Sequence, residues 1–108
     1  MKAKMTREQR KVATFLRHAI RDYGIPRFDV NSANVKESAS DDDGCITVCY
    51  SVRVGDNIVD IQYFYYSDND RSAYVYLNDY PLFHRKVTCM FDMVYVVTMF
   101  VGMVQHLN

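Results

Sequence analysis

The chain has 108 residues, with 13 basic and 13 acidic side chains and a formal net charge of zero. This length suffices for one hydrophobic core, so a single domain over residues 1–108 is expected. Proteins that bind duplex nucleic acid through phosphate contacts normally carry a basic excess, so the neutral balance argues against that class of partner. The charged segment 1–11 lacks the apolar stretch of a signal peptide.

The first predicted element is a helix that begins after Thr6. The run Thr6-Arg7-Glu8-Gln9 fits a capping box, in which the Thr hydroxyl and the Gln side chain satisfy each other's free backbone N–H groups. Apolar side chains then recur at helical spacing: Val12, Phe15, Leu16, Ala19, Ile20 and Tyr23. Gly24 ends the helix and Pro26 prevents it from resuming.

The segment after this helix is polar and holds two open questions. Residues 27–35 form either a short edge strand or an irregular connection, and residues 36–44 are predicted to be a mobile loop. The run Asp41-Asp42-Asp43-Gly44 suggests a calcium loop, but the glutamate that an EF-hand needs further on is absent. No metal ion or other cofactor is therefore expected.

The strongest pattern runs from Cys45 to Leu77, where side chains alternate with a period of two. Between Cys45 and Val54 the even positions are apolar and the odd ones are small or polar, so one face is suited to a core. Turn-forming residues at 55–57 and 67–70 separate three such segments. The pattern predicts an antiparallel meander.

The cysteines indicate a reducing compartment. Cys45 and Cys49 share a strand face but lie about 13 Å apart along it. A disulfide needs Cα atoms within roughly 7 Å, so these two neither pair nor share a metal ion. A cytoplasmic location is the resulting expectation.

The last segment is the most apolar. Residues 78–81 are predicted to break the sheet. Residues 83–106 are predicted to form a buried helix, although the run Val94-Tyr95-Val96-Val97 is rich in strand-forming residues, so a strand remains the alternative. The apolar arc is so broad that it must be covered on more than one side. Asp92 argues against a membrane span, because a charge at the bilayer centre costs about 3 kcal/mol.

These elements predict an α+β fold. It consists of an antiparallel meander of three or four strands with the N- and C-terminal helices packed on one face, as a two-layer sandwich. The order and size of the elements resemble those of small type III secretion chaperones and of small phage-encoded inhibitor proteins. The resemblance implies an architecture, not an activity.

Two surfaces have no role in this fold. Phe64, Tyr66, Tyr74 and Tyr76 flank the second turn, on the sheet face opposite the predicted core, and are expected to be cross-strand neighbours. Tyrosine is enriched at protein interfaces, so these four are the predicted partner-binding residues, with simple stabilisation of the sheet as the alternative. The second surface is the surplus apolar arc of the last helix, which could form a homodimer or receive another protein.

No catalytic constellation is evident. The chain has no glycine-rich phosphate loop, no Cys-x-x-Cys, no His-Glu-x-x-His and no nucleophile elbow. The leading hypothesis is a small non-enzymatic, cytoplasmic, homodimeric protein-binding module, acting as an adaptor, a chaperone-like protein or an inhibitor. Two alternatives stay open: a single-stranded nucleic-acid binder that stacks bases on the aromatic face, or a small enzyme with scattered site residues.

Overall fold

The computed structural model describes residues 5–24 and 35–108. In these ranges the elements are α1 (Arg7–Tyr23), β1 (Val35–Asp42), β2 (Cys45–Val54), β3 (Asn57–Ser67), β4 (Asp70–Leu77), β5 (Tyr80–Lys86), a 3-10 turn (Met90–Asp92) and α2 (Met93–Leu107). The strands form one open antiparallel sheet in the order β1-β2-β3-β4-β5. The predicted α+β class is confirmed, with five strands instead of three or four.

Helix α1 has the predicted ends. Thr6 Oγ1 accepts a hydrogen bond from the Gln9 N–H at 3.1 Å, and Gln9 Oε1 accepts one from the Thr6 N–H at 2.9 Å. The Gly24 N–H donates to the Ile20 carbonyl at 2.8 Å. A Cβ atom on Gly24 would collide with that carbonyl oxygen, so the chain needs glycine at this close approach.

Residues 36–44, which the sequence predicts to be a mobile loop, form most of β1 and the turn after it. β1 pairs with β2 from Val35 opposite Val52 to Asp42 opposite Cys45. Asp43 and Gly44 make the turn with φ angles of 50° and 80°, a left-handed conformation that Asp and Gly tolerate. Of the ambiguous segment 27–35, Val35 begins β1 and the rest lies outside the described residues.

Residues 78–81 do not break the sheet either. Asn78 and Asp79 have φ angles of 50° and 68°, as a hairpin turn requires, and lead into β5. Asn78 Oδ1 also accepts the Ile58 N–H at 2.8 Å, which ties this turn to β3. The predicted helix over 83–106 therefore starts at Met93 instead of Phe83. Pro81 is compatible with β5 because an edge strand has fewer backbone hydrogen bonds to make.

The hydrophobic core follows the predicted alternation of β2, β3 and β4. Val48, Ile61 and Val75 have no exposed surface, and they belong to one cluster together with residues of both helices. Leu16 and Ile20 enter it from α1, and the largest contribution from α2 is Phe100. Helix α1 packs mainly on β1 and β2, and its Phe15 ring stacks on Tyr63 of β3. Helix α2 packs on the strands from β2 to β5.

Asp92 holds the connection between β5 and α2. One carboxylate oxygen accepts hydrogen bonds from the Thr88 hydroxyl at 2.6 Å and the Thr88 N–H at 2.7 Å. The other oxygen accepts from Arg85 Nε at 3.3 Å and Nη2 at 3.2 Å. These bonds, the Thr88 hydroxyl first, hold the pKa of Asp92 well below its ordinary value.

One stretch of the described residues, Met90–Leu107, is long and apolar enough to cross a membrane by length and composition alone. The core helix of a soluble protein meets the same two criteria. In this fold Met93, Val97 and Phe100 of that stretch are buried in the hydrophobic core.

Candidate functional site

Three of the four predicted partner-binding residues form a connected cluster on the sheet face opposite the core. The Tyr74 ring lies 5.4 Å from Phe64 in an edge-to-face arrangement and 5.8 Å from Tyr76 in a stacked one. The His84 ring of β5 also stacks on the Tyr74 ring, with 5.2 Å between the ring centres. We call Phe64, Tyr74, Tyr76 and His84 the outer ladder. Because the rings cover one another, Phe64, Tyr74 and Tyr76 are only partly exposed.

Tyr66, the fourth predicted residue, lies apart from the outer ladder. The pairing of β3 with β4 shifts between Tyr65 and Ser67, and Tyr74 stands opposite Gln62. Tyr66 is 56% exposed. A hydrogen bond with the Cys45 side chain raises its pKa. The expected neighbour relation between Tyr66 and Tyr74 is therefore wrong, because the tight turn sets a different register.

The outer face also carries a buried carboxylate that the sequence did not single out. Asp60 is 7% exposed, and its Oδ1 has no hydrogen-bond partner among the described residues. It stands opposite Ser51 on β2 and Tyr76 on β4. Burial raises the pKa of Cys49 and of Tyr76, and the Asp60 charge adds to both shifts. Alternation places Asp60 outward, but no local signal indicates that this outward position is buried.

Most exposed large apolar side chains of the described ranges lie outside the outer ladder. Of the seven such residues described, five belong to β5, the 3-10 turn and α2: Tyr80, Leu82, Phe91, Tyr95 and Met99. Phe91, Tyr95 and Met99 recur every four residues, so they share one helical face. We call these five residues, together with the groove that Tyr95 and Met99 help to line, the α2–β5 surface.

The groove has a volume of about 540 Å³ and an almost wholly apolar lining. Phe83 of β5 forms one wall; α2 supplies the rest through Val94, Tyr95, Thr98, Met99, Gly102 and Met103. No atom lies within 4 Å of the place that a Cβ on Gly102 would occupy, so the groove is open there. At its rim the Arg85 guanidinium lies 4.1 Å from the centre of the Tyr95 ring. Arg85 also forms an ion pair with Asp92, so the rim carries little net charge.

Strand β5 completes this surface with a free backbone edge. Among the described strands it pairs with β4 alone, so its other edge has no strand partner. Asp79 precedes the strand and Lys86 ends it, and both side chains are exposed. The edge therefore carries opposite charges at its two ends.

The described residues offer no evident metal or disulfide chemistry. No group of three or more His, Cys, Asp or Glu side chains in the ranges 5–24 and 35–108 could hold a metal ion. Cys45, Cys49 and Cys89 are all free thiols.

No family model, no curated protein and no solved structure matches this chain. The function is therefore argued from the geometry of these surfaces.

Proposed function

We propose that this protein is a non-enzymatic, cytoplasmic protein-binding module that forms a homodimer through the α2–β5 surface. In this proposal both helices cover the same sheet face and leave the outer ladder on the opposite one. The observation that carries the proposal is the set of exposed apolar side chains on β5, the 3-10 turn and α2, together with the free edge of β5. Exposed apolar patches on soluble proteins often mark interaction sites.

A second copy of the chain is the occupant that the charges favour. When a strand pairs antiparallel with its own copy about a two-fold axis, the start of one strand lies beside the end of the other. Asp79 of each protomer would then lie near Lys86 of its partner. The same pairing satisfies the free N–H and C=O groups of both β5 edges.

The side chains of the α2–β5 surface are also suited to a self-complementary contact. Aromatic residues and methionine are enriched at interface cores, where charged residues are depleted. Phe91 is 63% exposed and Tyr95 is 47% exposed, and each can enter the apolar groove of a second copy. The open space at Gly102 allows the two helices to approach closely.

The outer face of the sheet is the proposed site for a different protein. Phe64, Tyr74 and Tyr76 of the outer ladder remain predicted contact residues, as does Tyr66, which lies apart from the ladder. Their mutual packing gives the ladder a stabilising role as well, which is why the α2–β5 surface carries the proposal. Strands β1 and β5 add Lys36 and Lys86 to the outer face, opposite Ser51 and Ser72. These cations favour single-stranded nucleic acid as the second candidate partner, and a steep salt dependence of binding would distinguish it.

The test is the solution mass of the purified chain, measured by light scattering over a concentration series. We expect the mass of a dimer for the natural sequence and of a monomer for Met99→Glu, because the new carboxylate would be buried in the contact. Ile58→Glu is the matched control: Ile58 is 37% exposed and Met99 38%, but Ile58 lies outside the α2–β5 surface. A monomer at every concentration, or the same loss of dimer in both variants, would contradict the proposal.

A further inference from the structure

A second pocket, lined on one side by α1, has the properties of a small-molecule site. It has a volume of about 280 Å³ and lies between α1 and the β3–β4 hairpin. Pockets that hold small molecules start at roughly 300 Å³. The cavity is therefore of a size for a single ring or a short chain with one polar group.

One part of its wall is aromatic. The rings of Phe15 and Tyr63 are stacked at 5.0 Å, so α1 and β3 together contribute an aromatic part of the lining. The Arg71 guanidinium lies 5.3 Å from the centre of the Phe15 ring, next to this aromatic pair. Tyr65 and Met90 extend this wall, and both are partly buried. A planar or apolar molecule can be desolvated against such a surface.

The other part of the wall carries a cation without a counterion. Arg71 is partly buried and forms no ion pair with any described residue. Its Nη2 donates to the Thr88 carbonyl at 2.8 Å and its Nη1 to the Tyr63 hydroxyl at 3.3 Å. Both partners are neutral, and Nε is buried with no acceptor. Buried charges are normally paired, so this guanidinium lacks a compensating anion.

One further permanent cation and one carboxylate line the pocket. Lys11 supplies the cation, and it lines the pocket together with the His18 ring from α1. Asp68 is the only carboxylate in the lining, and it accepts a hydrogen bond from the Tyr65 hydroxyl at 2.5 Å. The pocket lining therefore contains two permanent cations, Arg71 and Lys11, and one carboxylate, Asp68, which already accepts a hydrogen bond.

We propose that this pocket binds a small molecule that combines an aromatic or short apolar body with one anionic oxygen group, a carboxylate or a phosphate. The body packs on Phe15 and Tyr63. The anionic group is held by Arg71 and Lys11. This site is independent of the α2–β5 surface, so the two proposals stand or fall separately.

The test uses four probes that separate ring from charge: benzoate, phenyl phosphate, inorganic phosphate and benzyl alcohol. Each is titrated at millimolar concentration while the backbone amide signals of Phe15 and Arg71 are followed by NMR. We expect saturable shifts with benzoate or phenyl phosphate and much weaker binding of the other two. Whichever of the two anionic aromatic probes binds more tightly identifies the anion.

Variants assign the effect to the pocket. Lys11→Gln should weaken binding roughly two- to fivefold, as loss of one exposed charge pair implies. Arg53→Gln, at an exposed arginine of β2 outside the pocket, should leave binding unchanged. Arg71→Gln should abolish binding; if this variant does not fold, Lys11→Gln decides alone. Absence of saturable shifts with both anionic aromatic probes, or equal effects of Lys11→Gln and Arg53→Gln, would overturn the proposal.

Discussion

The outer ladder and the α2–β5 surface both present aromatic side chains outside the core, but the two regions use them differently. In the outer ladder, Tyr74 lies against the rings of Phe64, Tyr76 and His84, and the tyrosines are only partly exposed. On the α2–β5 surface, Tyr80 is 75% exposed and Phe91 is 63% exposed. The ladder residues are covered by one another, whereas much of the α2–β5 surface is available to another molecule.

The position in the sheet explains this difference. Tyr74 is on β4, which has a strand on each side, so cross-strand neighbours within about 5 Å are available to pack against its ring. β5 has a strand on one side only, so fewer cross-strand neighbours are available to its side chains. An exposed aromatic residue at the centre of a sheet is thus more readily covered than one at its edge.

The largest expected effect comes from breaking the ladder at its centre. Tyr74→Ala removes every ring contact of the cluster at once, so we expect the free energy of unfolding to fall by about 2–3 kcal/mol. Urea unfolding followed by circular dichroism measures this loss. Tyr66→Ala is the control, because Tyr66 has no ring partner among the described residues, and it should leave the urea midpoint unchanged. Equal losses in both variants would mean that ring packing does not stabilise the ladder.

A smaller effect tests whether the α2–β5 surface is preformed in the free protein. The guanidinium of Arg85 lies 4.1 Å from the Tyr95 ring centre, a distance typical of a cation–π contact. A double-mutant cycle with Arg85→Gln and Tyr95→Leu should give a coupling energy of about 0.5–1 kcal/mol. Strictly additive losses would show that Tyr95 is not held in this position.

The smallest expected effect appears only at acidic pH, where the α2–β5 surface should lose stability before the outer ladder does. Asp92 has a pKa below its ordinary value in the folded chain, so the unfolded chain takes up the proton first as the pH falls. Its stabilising contribution is therefore present above about pH 4 and is lost progressively below it. Since Asp92 holds the start of α2, acid should loosen the α2–β5 surface before the outer ladder.

Amide hydrogen exchange at decreasing pH, corrected for the intrinsic rates, checks this order. Protection in the first turn of α2 should fall before protection in β4. Asp92→Asn provides the control, because it lacks the titrating group: its stability deficit relative to the natural sequence should shrink as the pH drops. A deficit that is independent of pH would contradict the assignment.

Some parts of the candidate sites were predictable from local patterns and others were not. The aromatic positions Phe64, Tyr74 and Tyr76 follow from alternation on β3 and β4. His84 could not be included, because β5 was expected to be part of a helix. For the α2–β5 surface, the sequence predicted only a surplus apolar arc on the last helix. It did not predict which residues of that arc are exposed, and it did not predict the free edge of β5.

The sequence alone determined the elements that are specified by neighbours along the chain. The capping box at Thr6 and the apolar stripe define α1, and strict alternation with turn residues defines β2, β3 and β4. In each case the signal lies within a few residues, because helix and strand periodicity fix which way successive side chains point.

Only the tertiary structure decided the edge strands and the exposed surfaces. β1 is polar, and its inward residue Glu37 is held by Arg17 of α1, whose Nη2 lies 2.6 Å from the carboxylate. β5 is recognisable only beside β4, and its edge position leaves part of α2 uncovered. Whether a side chain is buried depends on residues that are distant in sequence. Periodicity shows to which face of a helix or strand a side chain points, but not whether another element covers that face.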